Sequence, residues 1–394
     1  MQLSYFLHHS APSTAAEGFR GNYFSLHTVG ENTAKTDELQ NDRITPDMNS
    51  TRRPFSRRRF LSGLGISVLS SPILLAQERL QRRTRWEMIA HDEPILPSPC
   101  TPDPSSWDTS TITAAWIGHS TVLLNLFGTT IVTDPVLSER IGLDVAGLFT
   151  IGPQRLVSPA LTFEQLPPID LILLSHAHMD HLDTPTLRKF SRTTPVVIAK
   201  NTFDVIEGLG FEAIYEMDWA DWTQVGDVRI DALEVKHFGW RYPWEKDRSR
   251  GHWNGRSYNA YLISKNGGRI LFAGDTAYHQ KFKALKERDL SIDLAILPIG
   301  AYDPWIHNHA NPEQALEMAD HMGAHSVMPI HWRTFIQSEE PTLEPIQRLK
   351  RAAADQPDRI AIDDIGQTWS LAAATPQTHL SLTQGPPSST RKEQ

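Results

Sequence analysis

Cysteine is almost absent from this chain. Its single copy in 394 residues, Cys100, excludes an intrachain disulfide framework. The proline before it, in Pro97-Ser98-Pro99-Cys100, argues against a lipid-attachment site. Long apolar runs are also missing. The uncharged stretch 62–76 is too short and too rich in Gly and Ser for a stable membrane helix. Positive charge is not in excess. The formal net charge is −8, which speaks against a nucleic-acid protein while leaving room for a local basic groove. No internal repeat is visible at the level of residue identity. What remains is ordinary globular composition, 40% hydrophobic and 21% charged, enough for one large domain or two small ones.

The first third of the chain divides by composition. Residues 1–47 are polar and aperiodic and read as disordered. Residues 48–77 hold a basic head, Ser56-Arg57-Arg58-Arg59-Phe60-Leu61, followed by the charge-free stretch. That order resembles a twin-arginine export signal, which implies the twin-arginine translocase as a partner and a periplasmic or otherwise exported protein. The competing reading is a basic surface segment ahead of a buried helix. Met48 would place a short leader directly before the arginines, so translation is expected to start there. No clear small-x-small pattern precedes Gln77, and cleavage stays open. Residues 78–110 read as a linker wrapping onto a domain at 111–372. The Pro/Ser/Thr/Gln-rich tail 373–394 reads as disordered.

The chemistry concentrates in His176-Ala177-His178-Met179-Asp180-His181, directly after the apolar run 171–174. Alternation on a strand end points His176 and His178 the same way. Imidazole and carboxylate together suit zinc and its first-row neighbours. Polar residues recur just past other apolar runs: Asp134 after 129–133, His237 after 228–235, Asp275 after 269–273 and His331 after 326–330. Lys265-Asn266-Gly267-Gly268 is a hairpin turn between two strands. Thr184 is the expected cap of a helix with Pro185 in its first turn, 202–209 a short helix, and Asn311-Pro312 the start of another reaching about Met322. Residues 136–168 are irregular and form a candidate lid.

Six segments then resemble the metallo-β-lactamase superfamily: 116–121, Thr133-Asp134-Pro135, the hexamer, Phe272-Ala273-Gly274-Asp275-Thr276, 297–302 and Ile330-His331-Trp332. The hexamer matches that family's His-x-His-x-Asp-His signature. The segments are most similar to the branch of N-acyl-phosphatidylethanolamine-hydrolysing phospholipases D and ascorbate-phosphate lactonase-like proteins. The resemblance implies an α/β fold, a four-layer αββα sandwich, with two divalent metal ions, zinc being the expected one. It implies that His176, His178 and His237 hold the first ion, that Asp180, His181 and His331 hold the second, and that Asp275 bridges them. His119 and Asp134 are candidates to steady the ligating imidazoles; Asp134 reads almost equally well as a turn residue before proline. His309 matches a histidine of the phospholipase branch, a candidate to protonate a leaving group, or is simply a helix-entry residue. Tyr302 is either a substrate contact or a loop cap. Met179, Arg333 and 303–306 depart from the phospholipase pattern, which leaves the metals secure and the substrate open.

By that likeness the expected function is hydrolysis of N-acyl-phosphatidylethanolamine-like lipids through a hydroxide between the ions, with Asp180, Asp275 and His309 catalytic. A lactonase or other carboxyl-ester hydrolase on the same fold is the first alternative. A non-catalytic metal-binding envelope protein is the alternative from another class. The expected partners are a phospholipid or a small phosphodiester or ester, and a peripheral membrane contact, with no nucleic acid. In 238–257, four aromatics, Trp240, Tyr242, Trp244 and Trp253, alternate with basic residues. They read as ordinary packing above a solvated basic rim, with an interfacial lip as the second reading.

Overall fold

The computed structural model describes residues 93–145 and 149–371. The expectations for 1–47, for the export signal and for the tail lie outside the described residues, as does the linker before Glu93. Fifteen strands appear in the described chain. β1 (Ile112–Gly118), β2 (Thr121–Leu126) and β3 (Thr129–Thr133) form a meander. β4 (Leu143–Val145) and β5 (Phe149–Ile151) pair as a separate small hairpin. β6 (Leu171–Leu173), β7 (Val196–Ala199) and β8 (Ile214–Met217) continue from β3 in parallel. β9 (Trp222–Val225), β10 (Val228–Glu234), β11 (Asn259–Lys265) and β12 (Gly268–Phe272) are antiparallel neighbours. β13 (Ile292–Pro298) and β14 (Ala324–Ile330) extend them in parallel, and β15 (Thr368–Ser370) closes the first sheet beside β1. The result is a seven-stranded and a six-stranded mixed sheet.

The two sheets bury one common core. Leu123 and Leu124 from the first sheet and Leu271 and Phe272 from the second are fully enclosed in it. Burying a side chain of this size contributes roughly 1.5–3 kcal/mol. Helices cover the outer faces. α1 (Thr184–Leu187) and α2 (Phe203–Ile206) lie over the first sheet, where Leu187 and Ile206 pack with Ile172 and Ile198. α3 (Lys283–Glu287), α4 (Pro312–Met322) and α5 (Glu344–Ala352) lie over the second. In α4, Ala315, Met318, Ala319 and Met322 are buried at helical spacing, and an Asn311–Gln314 capping box starts the helix. This is the αββα sandwich.

Three local expectations need correction or detail. The cap of α1 is Asp183, not Thr184; its buried carboxylate accepts from Ser138 and Thr186. The Asn266-Gly267 turn is a two-residue loop between Lys265 and Gly268 with both φ angles positive, as a type I′ turn demands. Segment 136–168 is not a free-standing lid. It carries the β4–β5 hairpin, and the buried Arg155 ties it down by donating to the carbonyls of Ser138 (2.8 Å) and Val136 (2.6 Å).

Candidate metal centre

The strands that the candidate donors follow end together. β1, β3, β6, β10, β12 and β14 run the same way, so His119, Asp134, His176, His237, Asp275 and His331 collect along a single rim. All six are buried. The backbone is strained to put them there: His119, Asp134 and His331 adopt left-handed φ angles of 52°, 32° and 63°. Gly274, also left-handed, lies against Ser175, where a Cβ would approach to 2.6 Å. A side chain there would separate Asp275 from the hexamer.

The donors form two groups. In the first, His176 Nε2 lies 2.8 Å and His237 Nε2 3.3 Å from His178 Nδ1. Asp275 Oδ2 completes the group at 4.0 Å from His176 Nε2 and 3.7 Å from His237 Nε2. The outer nitrogens are held from behind: His176 Nδ1 by Ser175 Oγ at 2.9 Å and His237 Nδ1 by the Asn308 carbonyl at 2.9 Å. In the second group, Asp180 Oδ2 lies 3.3 Å from His331 Nε2, 3.4 Å from His181 Nε2 and 2.9 Å from His119 Nε2. Asp275 Oδ2 faces this group too, at 3.1 Å from His181 Nε2 and 3.2 Å from His331 Nε2. One carboxylate thus stands between both sets.

Three observations show that these residues fit metal ions. Ring nitrogens converge on one another, and a tetrahedral ion with 2.0–2.1 Å bonds sets its donors about 3.3 Å apart. His181 Nε2 and Asp275 Oδ1 are buried without a hydrogen-bond partner among the described residues, a costly state unless something else binds them. The donor set, imidazole plus carboxylate, suits zinc and its neighbours. Behind the second group, Asp134 Oδ2 accepts from His181 Nδ1 at 2.6 Å and from Ser175 Oγ at 2.6 Å, while its Oδ1 accepts from Ser175 N at 2.7 Å. A carboxylate there keeps a proton on His181 Nδ1, so that when His181 gives up its second proton it is Nε2 that presents a lone pair inward.

Charge differs between the groups. Burial and then the neighbouring imidazoles push His178 down to about 3 and His176 well below its usual range, so both are neutral. Burial likewise lowers His237. In the second group burial also pulls His331 down, but Asp275 and Asp180 outweigh it and raise it to about 9. His181 rises well above the ordinary histidine range against the same burial, because of Asp275 and Asp180. Burial favours the neutral acid at Asp180 and Asp275, yet the facing imidazoles hold both well below the carboxylate range. Burial raises Asp134 in spite of His181.

The remaining candidates divide. His309 joins the site: its buried Nδ1 lies 3.8 Å from Asp275 Oδ2 and its ring 5.3 Å from that of His331. His119, expected only behind the ligands, stands among the second donors. Tyr302 turns away, its hydroxyl donating to Glu344 at 2.9 Å and its ring lying under Arg348. That geometry fits the loop cap of the two readings. Two supporting groups carried no signal that spacing could reveal: Gln337, whose Nε2 donates to Asp180 Oδ2 at 2.7 Å, and the Asn308 carbonyl. His119 could have been found, since it follows β1 as the other donors follow their strands.

Above Asp275 opens a cleft of about 510 Å³. Phe238, Trp240 and Trp305 supply its apolar walls; Arg250, His309 and Gln337 supply polar groups. No described residue of 136–168 lines it. A more open depression of about 630 Å³, walled by Phe203, Trp244 and Arg256, holds none of the donors.

Comparison with known proteins bears on this geometry. The model of the beta-lactamase superfamily domain matches residues 129–332, which include every donor except His119. An uncharacterised protein of Mycobacterium tuberculosis is 32% identical over 313 residues, 76% of this chain and 80% of that protein. The N-acyl-phosphatidylethanolamine-hydrolyzing phospholipase D 1 of Caenorhabditis elegans is 30% identical over 282 residues, 66% of this chain and 76% of its own length. Among solved structures, an isothiocyanate hydrolase from Delia radicum gut bacteria superposes with a TM-score of 0.53 at 19% identity, covering 66% of this chain and all of that one. That similarity supports the fold.

Proposed function

The chain belongs to the metallo-β-lactamase superfamily of metal-dependent hydrolases, and on that footing we propose that it cleaves the phosphodiester of N-acylated phosphatidylethanolamine or a closely related phospholipid. The observation that carries the hydrolytic reading is Asp275, whose carboxylate faces both donor groups at the floor of a cleft. The lipid reading is supported by the likeness to the nematode phospholipase and by a cleft with aromatic walls and a cation, Arg250, near its mouth.

His176, His178, His237 and Asp275 would hold one divalent ion, and Asp180, His181, His331 and Asp275 the other, zinc being the ion the donors suit. When bound, such a pair supplies a nucleophile at neutral pH and offsets negative charge on the reacting group. The chain's own residues do the rest. Asp134, Ser175 and Asn308 fix the tautomers of the imidazoles so that one lone pair of each faces the centre. His119 and Gln337 pin Asp180, leaving its carboxylate in place to take a proton from the attacking water. Phe238, Trp240 and Trp305 exclude bulk water. Water adds to phosphorus, the bond from phosphorus to the amino-alcohol oxygen breaks, and the proton taken from the water passes to that oxygen, with the neutral His309 placed to relay it. The products are a phosphatidic acid and an N-acylethanolamine.

A direct test compares turnover of N-acyl-phosphatidylethanolamine in mixed micelles with that of a medium-chain lactone, using full-length, zinc-loaded protein. Faster phosphodiester cleavage, with phosphatidic acid as product, is the expected result. Preferential lactone opening would transfer the site to carboxyl-ester chemistry, the alternative on this fold.

A further inference from the structure

The loop between β10 and β11 forms one wall of the cleft and then leaves it. Its interior is closely braced. Arg256 pairs with Glu245 at 2.8 Å and with Asp204, and Arg248 pairs with Asp218 at 2.8 Å while lying 4.0 Å over the Trp219 ring. Asp247 turns inward and caps Ser249 N at 2.9 Å. Gly255 fits where a Cβ would come 2.6 Å from the Lys246 carbonyl. A loop so constrained has a defined outer face.

That outer face has an unusual composition. Trp244 is 78% and Trp253 83% exposed, the two most exposed large hydrophobic side chains among the described residues. Packing explains Trp240, which lies 5.0 Å from Phe238 and 6.1 Å from His178. It does not explain Trp244, which meets only the flat ring of Tyr242 at 4.9 Å, or Trp253. Trp244 walls the open depression together with Asn254, the chain neighbour of Trp253, so the braced loop carries both exposed indoles within ten residues of each other. Lys246, Arg250 and His252 are exposed between them. Both acidic residues of the segment, Glu245 and Asp247, are engaged inward, although Asp247 also lies 3.4 Å from the otherwise exposed Arg250. The outer face therefore presents indoles and cations with no outward carboxylate of its own.

We infer that residues 243–254 form a docking surface for a phospholipid bilayer. Indole is stable at the boundary of headgroup and acyl chain, where an apolar ring meets a wet edge. Lys and Arg beside it complement lipid phosphate. Arg250, Ser249 and Asp247 line the cleft from the same loop, so a bilayer seated on Trp244 and Trp253 meets the mouth of the cleft. Trp305, 38% exposed, stands on the cleft's other lining segment. Docking rests on the lipid reading above for its purpose, but its geometry is independent of which bond the site cleaves.

The test uses the full chain and its W244A/W253A variant with vesicles of phosphatidylcholine and phosphatidylglycerol in which the phosphatidylcholine is brominated on its acyl chains. Bromine quenches only tryptophans that enter the bilayer. The wild chain is expected to be quenched, and the double variant to lose the greater part of that quenching. Its vesicle affinity should fall about tenfold or more, given the ring area withdrawn from water by each indole. Hydrolysis of water-soluble bis(4-nitrophenyl) phosphate should be equal in the two proteins. Undiminished quenching in the variant, or none in the wild chain, overturns the docking surface. Self-association of the wild chain that the variant loses, without lipid quenching, would reassign the face to contacts between copies. Failure to cleave phospholipid with quenching intact would sink the substrate and spare the surface.

Discussion

The two donor groups share Asp275 and differ in almost everything else. Around His176, His178 and His237 the neighbours are other imidazoles, backed by a hydroxyl and a backbone carbonyl. These rings are neutral, and His178 Nδ1 lies within hydrogen-bond distance of both His176 Nε2 and His237 Nε2. Around Asp180, His181 and His331 carboxylates face imidazoles, and Asp134 adds a further negative group behind. Here the imidazoles hold protons, and ion pairs keep the geometry. The first group offers a cation three neutral imidazoles. The second group is already charge-compensated, so a cation must displace a proton to enter.

The comparison breaks most completely at the residue the groups share. Asp275→Asn is expected to lower hydrolysis at least about a thousandfold, since one substitution weakens both sites at once. Circular dichroism should be unchanged. A loss of only a few-fold would mean that the two groups do not act together. Next come substitutions that silence one side. His178→Ala and Asp180→Ala should each retain about one equivalent of zinc by elemental analysis and lose activity about a hundredfold. If either variant lost all its metal, the groups would be a single site.

Smaller effects sharpen the asymmetry. Asp134→Asn leaves His181 unsteadied and should weaken the second site about ten- to a hundredfold in a chelator competition while the first site is unmoved. The pH dependence should differ in the same sense. His331, at about 9, is protonated at neutral pH, so affinity at the second site should climb about tenfold per pH unit toward about pH 9 for each proton displaced. His178, at about 3, carries no proton to displace, and affinity at the first site should stay flat over the same range. Parallel slopes in a two-site zinc titration would erase the distinction.

Much of this was legible before any coordinates. The hexamer at a strand end and the habit of polar residues to follow apolar runs located all seven proposed ligands, and resemblance to a family assigned the set. Hairpin and cap signals placed Asn266-Gly267 and Asn311 correctly because turn chemistry is local. Other parts could not be read. Gln337 reaches Asp180 across 157 positions, a distance at which sequence spacing carries no information. The direction of Tyr302 depends on Glu344 and Arg348, contributed by a helix that begins forty residues later. Trp240 and Trp244 look alike in sequence, yet one packs beside the donors and the other faces outward.

The amino-acid sequence by itself determined which chemistry this protein can hold: imidazoles and carboxylates at strand ends, in numbers suited to divalent cations. That much follows from residue type and local periodicity. Only the tertiary structure decided that Asp275 stands between two groups, that one group is neutral and the other ion-paired, and which tryptophans are left without a packing partner. Those properties depend on burial and on distances between residues remote in the chain, and neither exists until the two sheets close on their common core.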